Sequence, residues 1–175
     1  MELFTRTVMK LISIILFVFL LTPVHAATIE EVFGDGVFGL HWGDSPQKVT
    51  NKFPTAKKKN YQNIVWFEVK DSRSVLGIDR KNKLINFSFD SESRLAGVAI
   101  YFDSDDYGAV LVKLNTLFGE YTKVDGGQSA MQWRGGEVVL TLVFVPSGLG
   151  MEATFSISYS GLDKPDVDKG SLGFN

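Results

Sequence analysis

The sequence predicts an α+β domain: an antiparallel sheet with two helices packed on one face. Three observations predict it. Hydrophobic residues make up 45% and charged residues 22% of 175 residues, the composition of an ordinary globular chain. Several segments alternate apolar and polar residues with the period of a strand. Two others repeat apolar residues four apart, as one face of a helix requires. Helices grouped against one face of an antiparallel sheet make a two-layer α+β domain.

The chain opens with an expected address rather than an element of the fold. Arg6 and Lys10 precede the apolar run Leu11–Leu21, which has the length of a signal-peptide core and is short for a bilayer of about 30 Å. Thr22-Pro23-Val24-His25-Ala26 follows, with small or modest residues at Val24 and Ala26. Residues 1–26 are therefore expected to be a cleaved secretory signal peptide, starting at Met1 or at Met9. An uncleaved anchor is the alternative, disfavoured by the short run and the cleavage site behind it. With no cysteine there is no lipobox, so no integral membrane or acyl anchor is expected after cleavage. The protein is expected to be periplasmic or secreted. Residues 27–161 are expected to form a single α+β domain, and 162–175, rich in Gly, Pro, Asp and Lys, a flexible C-terminal tail.

Within the domain, 27–37 form a short lead with a helical turn at Ile29–Phe33. Ser45-Pro46 is an N-cap followed by proline at the first helical position, where a missing N–H costs nothing. A helix over about 46–53 follows, with Val49 and Phe53 on its buried face and Pro54 ending it. Lys57-Lys58-Lys59-Asn60 is expected to be a polar loop. Strands are expected at Ile64–Val69, more weakly at Ser74–Asp79, then at Leu84–Asp90 and Leu95–Phe102. The last two alternate and form a hairpin: Ile85, Phe87 and Phe89 face one way, and Ala96, Val98, Ile100 and Phe102 form one face of the partner. Asp90–Ser93 is the turn. Asp103–Asp106 starts a helix at its electropositive end, and Val110, Leu114, Leu117, Phe118 and Tyr121 form its stripe. Gly119 weakens its last turn and Gly126-Gly127 is a loop. Strands at Ala130–Arg134, Val138–Val145 and Ala153–Ser160 complete the domain, the first two joined by a two-glycine turn at Arg134–Glu137. In the last strand Ala153, Phe155, Ile157 and Tyr159 oppose a Ser/Thr face, which suits a solvated sheet surface.

The two halves echo one another. Each has a helix, a loop, an aromatic strand carrying Trp66 or Trp133, and two further strands. A helix-strand-strand-strand repeat done twice is one reading, with an extra strand possible in the first half. The segment Phe38-Gly39-Leu40-x-Trp42-Gly43-x-Ser45-Pro46-x-x-Val49 resembles the opening of the repeat in small exported bacterial proteins of the BamE and β-lactamase-inhibitor-protein-like type. Leu117-Phe118-Gly119 beside an aromatic strand is similar to the same pattern. The resemblance implies an α+β, protein-binding fold without catalysis. The chain departs from BamE in lacking the lipidated cysteine and from the inhibitors in lacking cysteines altogether.

No chemistry-bearing constellation stands out. A formal net charge of −2 gives no reason to expect nucleic-acid binding. Beyond the leader His41 is the single histidine, with no Gly-x-Ser-x-Gly and no cluster at metal-ligand spacing; a structural or surface role is the simpler reading. Asp105 and Asp106 are read as helix caps rather than as a carboxylate pair or, with Asp103, a calcium loop. Lys57–Lys59 is read as solvated, with an anionic surface such as lipid headgroups as the alternative. Gly34-Asp35-Gly36 follows no clear strand and makes no phosphate loop. No catalytic residue, metal or cofactor is assigned. Trp42, Trp66 and Trp133 are the candidate protein-binding residues, since large aromatics anchor interfaces; for each, core packing is the competing reading.

The function expected is a soluble periplasmic binding or accessory protein that contacts another envelope protein, the partner being an envelope or secreted protein. An inhibitor of a secreted or periplasmic hydrolase is the second reading, and a carboxylate-using enzyme the third.

Overall fold

The computed structural model describes residues 27–62, 64–124, 130–147 and 150–163. The expected leader, the tail from residue 164 onward and the Gly126-Gly127 loop lie outside them. In chain order come α1 (Ile29–Phe33), β1 (Gly36–Val37), β2 (Leu40–His41), α2 (Pro46–Lys52), β3 (Lys57–Tyr61), β4 (Ile64–Lys70), β5 (Leu84–Phe89) and β6 (Leu95–Asp103). A 3₁₀ turn at Ser104–Asp106 leads into α3 (Tyr107–Phe118). Then follow β7 (Thr122–Val124), β8 (Ala130–Gly135), β9 (Val138–Ser147), β10 (Gly150–Tyr159) and a 3₁₀ turn at Gly161–Asp163. The result is a mixed α+β fold dominated by antiparallel sheet.

β1 and β2 pair as a small ribbon, and the other eight strands form one sheet in the order β3-β4-β5-β6-β10-β9-β8-β7. Two four-strand meanders are thus joined where β6 pairs with β10. Residues directly opposite in a ladder share a face, so the register fixes the layers. Phe67 lies opposite Phe87, Phe87 opposite Val98, Ile100 opposite Phe155, Phe155 opposite Leu142, and Leu140 opposite Trp133. All of these side chains are buried, forming one continuous inner face across both meanders. The outer face carries Trp66, Ser88, Asn86, Ala99, Tyr101, Ser156, Ser158 and Thr141, as the alternation of the last strand predicts.

Ring contacts tie other segments to the inner face. Phe53, the C-cap of α2, lies 5.2 Å from Phe87, and Tyr107 at the head of α3 stacks on Phe144 at 4.1 Å. Val49, Val110 and Leu114 are fully buried in the same core cluster. Thr28 caps α1 in a capping box: its hydroxyl accepts the Glu31 N–H at 3.2 Å, and the Glu31 carboxylate accepts the Thr28 N–H at 2.7 Å, which satisfies two donors a helix start leaves open.

Several expectations are corrected. Lys57–Tyr61 is a strand, not a loop; it is the edge of the sheet and all five residues are exposed, so it has no apolar face to read. β7 is likewise an edge of three exposed residues. From α2 onward each half therefore runs a helix and four strands, not three, with α1, β1 and β2 preceding the first. Ser74–Asp79 is a tight turn closed by a bridge between Val75 and Ile78. A register shift between Ser88 and Phe89 brings Leu95, not Ala96, fully into the core. Leu117, expected in the buried stripe of α3, is 36% exposed in the helix's last turn. Ser45 stands at the N-cap of α2 without a side-chain cap bond, and Asp106 at that of α3 likewise.

Candidate functional site

An apolar cleft of about 460 Å³ lies over the seam between the two meanders. Its floor is Ile100 of β6 with Phe155 and Ile157 of β10. One wall is the N-terminal segment from Val32 to His41, and the other is Ser74-Val75-Leu76. Asp35, His41 and Ser74 bring the polar groups among its lining side chains.

Both walls are built the same way. Val37-Phe38-Gly39-Leu40 and Val75-Leu76-Gly77-Ile78 are two-residue hairpin turns, each closed by a pairing of its outer residues. Phe38 has φ 53° and Gly39 φ 68°; Leu76 has φ 57° and Gly77 φ 77°. Positive φ at both central residues is the pattern of the turn that matches strand twist, which normally selects Asn, Asp or Gly. Glycine supplies the second position in both. The first holds a bulky apolar residue, whose Cβ makes the left-handed conformation unfavourable by about 1–2 kcal/mol. Phe38 and Leu76 both line the cleft. Phe38 also packs edge-on against Phe87 at 6.2 Å, with the Arg73 guanidinium 5.1 Å from its ring centre.

The floor of the rim is pinned by Asp44. Its carboxylate accepts the His41 N–H at 2.9 Å and the Lys48 ammonium at 2.6 Å. Burial pushes that carboxyl up, but the bonds from Lys48 and His41 outweigh it, and Asp44 titrates below the ordinary aspartate range. The His41 residue itself is exposed.

The three tryptophans do not converge. Trp133 is 3% exposed, donates its indole N–H to the Gly119 carbonyl at 2.9 Å, and meets Tyr121 edge-on; it is a core residue. Trp42 is half-buried, donates to the Phe33 carbonyl at 2.7 Å, and stacks on Tyr159 at 5.5 Å. That bond ties it to the N-terminal wall of the cleft. Trp66 is half-buried on the outer face, between Lys59 and Ser88. On that face the Asn86 amide donates to the Tyr101 hydroxyl at 3.0 Å, while Asn86 Oδ1 and Thr154 Oγ1 are buried without a hydrogen-bond partner among the described residues.

Asp103 Oδ2 accepts the Lys81 and Asn82 N–H groups, anchoring the loop before β5. Among the described residues no group of three His, Asp or Glu is placed to hold a metal ion. Nor is any helix there long and apolar enough to cross a membrane. Sequence reasoning missed Phe38 and Leu76 as cleft residues, although Val-Phe-Gly-Leu and Val-Leu-Gly-Ile are a visible internal match.

Compared with protein-family models, curated proteins and solved structures, the chain matches none.

Proposed function

We propose that this is an exported binding protein without catalytic activity, and that it engages another envelope protein by taking an apolar side chain of that partner into the cleft. The observation that carries the reading is the pair of turns around the cleft. Each holds a large apolar residue in a conformation that residue disfavours, where Asn or Gly would close the turn freely. Such strain persists where surrounding structure over-determines it, and it concentrates at ligand clamps. The cleft volume falls within the roughly 300–1,000 Å³ of binding pockets, and interfaces are dominated by a few anchors seated in such pockets. Trp42, tied to the wall, and Trp66, on the outer face, remain contact candidates.

The finer architecture belongs to the same proposal. The ring contacts of Phe53 and Tyr107 support α2 and α3 lying as a layer on the inner face. The order of helix and four strands, done twice, supports a repeat; the likeness to BamE-type proteins is part of the same proposal and rests on the sequence segment Phe38–Val49 alone.

A photoactivatable leucine at position 76 tests the function. In envelope extracts it should form one dominant protein adduct, which the same label at Met151, 48% exposed on β10, does not form. Leu76→Asn in competition should fail to suppress it where the parent chain does. Small-molecule adducts only, or the same products from both positions, would overturn the reading.

A further inference from the structure

A second surface lies at the far edge of the sheet. β3 and β4 form a hairpin in which Tyr61 pairs with Ile64 as the last described pair. The two share the outer face and are 66% and 60% exposed, unusual for large apolar side chains beside one another. Trp66, half-buried, is next along that face and lies opposite Lys59. Lys57 and Lys58 complete a run of three exposed lysines on the edge strand, and none of the three forms an ion pair among the described residues. Residues 57–66 contain no acidic residue in a chain whose formal net charge is −2; Glu68, opposite Lys57, is the nearest carboxylate along the ladder.

We infer that this hairpin docks on an anionic lipid surface. The order of groups along it matches the depth profile of a bilayer. A strand rises about 3.3 Å per residue, which sets Lys59 roughly 7 Å and Lys57 roughly 13 Å behind Tyr61. Tyrosine and isoleucine at the tip suit the boundary between headgroups and acyl chains, and Trp66, level with Lys59, suits the interfacial layer where aromatic residues collect. Peripheral apolar groups enter that boundary by about 5–10 Å, which leaves the lysines at headgroup level. Edge lysines also block strand addition, so the edge is poorly suited to a partner strand and well suited to phosphates.

Sedimentation with vesicles tests this, using the whole chain and variants that differ only in the hairpin. The parent should bind vesicles of three parts phosphatidylglycerol to seven of phosphatidylcholine, more weakly as salt rises. Lysine near an anionic surface is worth about fivefold in affinity per residue, so Lys57→Gln, Lys58→Gln and Lys59→Gln together should weaken binding by roughly 100-fold. Tyr61→Ser with Ile64→Ser should weaken it further at high salt, where the apolar contact dominates. Brominated acyl chains should quench tryptophan fluorescence in the parent and less in Trp66→Phe. All these positions are exposed or half-exposed, and unchanged thermal midpoints show that the variants fold. Equal binding by the parent and the lysine variant would overturn the inference. So would loss of a protein partner by the Tyr61/Ile64 variant with vesicle binding unchanged, which would make the hairpin a protein contact.

Discussion

Arg80 is 4% exposed, yet its guanidinium is held by main-chain carbonyls rather than by a carboxylate. It donates to the carbonyls of Asp71 at 2.8 Å, Leu84 at 3.1 Å and Arg73 at 3.3 Å. A planar fork of donors can staple two stretches of chain, 71–73 and the start of β5, in this way. Burial pushes the guanidinium below its ordinary pKa, and the nearby Asp71 charge partly restores it. Arg80→Met leaves those buried carbonyls without donors and should lower stability by about 2–4 kcal/mol, read from urea unfolding. Arg80→Lys keeps the charge but not the fork and should recover only part. Nothing in the sequence singles Arg80 out from the other basic residues, because its role depends on carbonyls brought together by the loop from 71 to 84. Acid sensitivity belongs to the same scale. Asp44, Asp71 and Asp90 are each pushed up by burial and pulled down further by hydrogen bonds, from Lys48, Arg73 and Arg94 respectively, so all three end low. A carboxyl whose folded pKa lies below its unfolded value contributes stability that is present above the unfolded value and lost as pH falls through the folded one. The urea midpoint should therefore fall as pH drops below about 4, and Asp44→Asn should flatten part of that dependence.

At the level of elements, the two hairpin turns that wall the cleft set stability against binding. Leu76→Asn relieves a left-handed leucine, worth about 1–2 kcal/mol, and gives up a half-buried apolar contact of similar size. Its thermal midpoint should stay close to the parent's while capture at the cleft is lost. A residue retained only for packing would show the opposite, a lower midpoint with binding kept. The elements also show what a single sequence can carry. β5, β6 and β10 each bury one face more deeply than the other, so their alternation is legible. α2 is legible from Ser45-Pro46 and from Val49 and Phe53. β3 is not, because an edge strand with lysines has no buried face to leave a period. The bulge at Ser88/Phe89 shifts a register by one residue without any local signal, which is why Leu95 was not expected in the core. The cleft was hidden for a different reason. Phe38 and Leu76 line one cleft although they lie far apart in the chain, and their positive φ is invisible in residue type.

For the whole molecule the decisive feature is the pairing of β6 with β10, which makes one inner face from two meanders. Ile100, Phe155 and Ile157 lie at that seam and are 0–2% exposed. Phe155→Ala should cost about 3–5 kcal/mol and should destabilise both meanders together. Variants that keep only Trp66 or only Trp133 report on the first and second meander, and their unfolding curves should coincide in the parent and shift equally in Phe155→Ala. Separate transitions would show that the seam does not couple the halves.

The two strands at the seam are the last of their respective meanders, and each unit carries a helix and four strands. Antiparallel pairing of equivalent strands is how two separate copies of one chain share a sheet about a two-fold axis. Here the covalent link from the first unit to the helix of the second is the 3₁₀ turn at Ser104–Asp106. The fold is therefore suited to being split. Two polypeptides divided at that turn and produced together should copurify and regain the sheet, whereas either one alone would leave the floor of the cleft open to water. A chain with this property would serve as a proximity reporter: fused to two other proteins, its halves would complement one another only where those proteins meet.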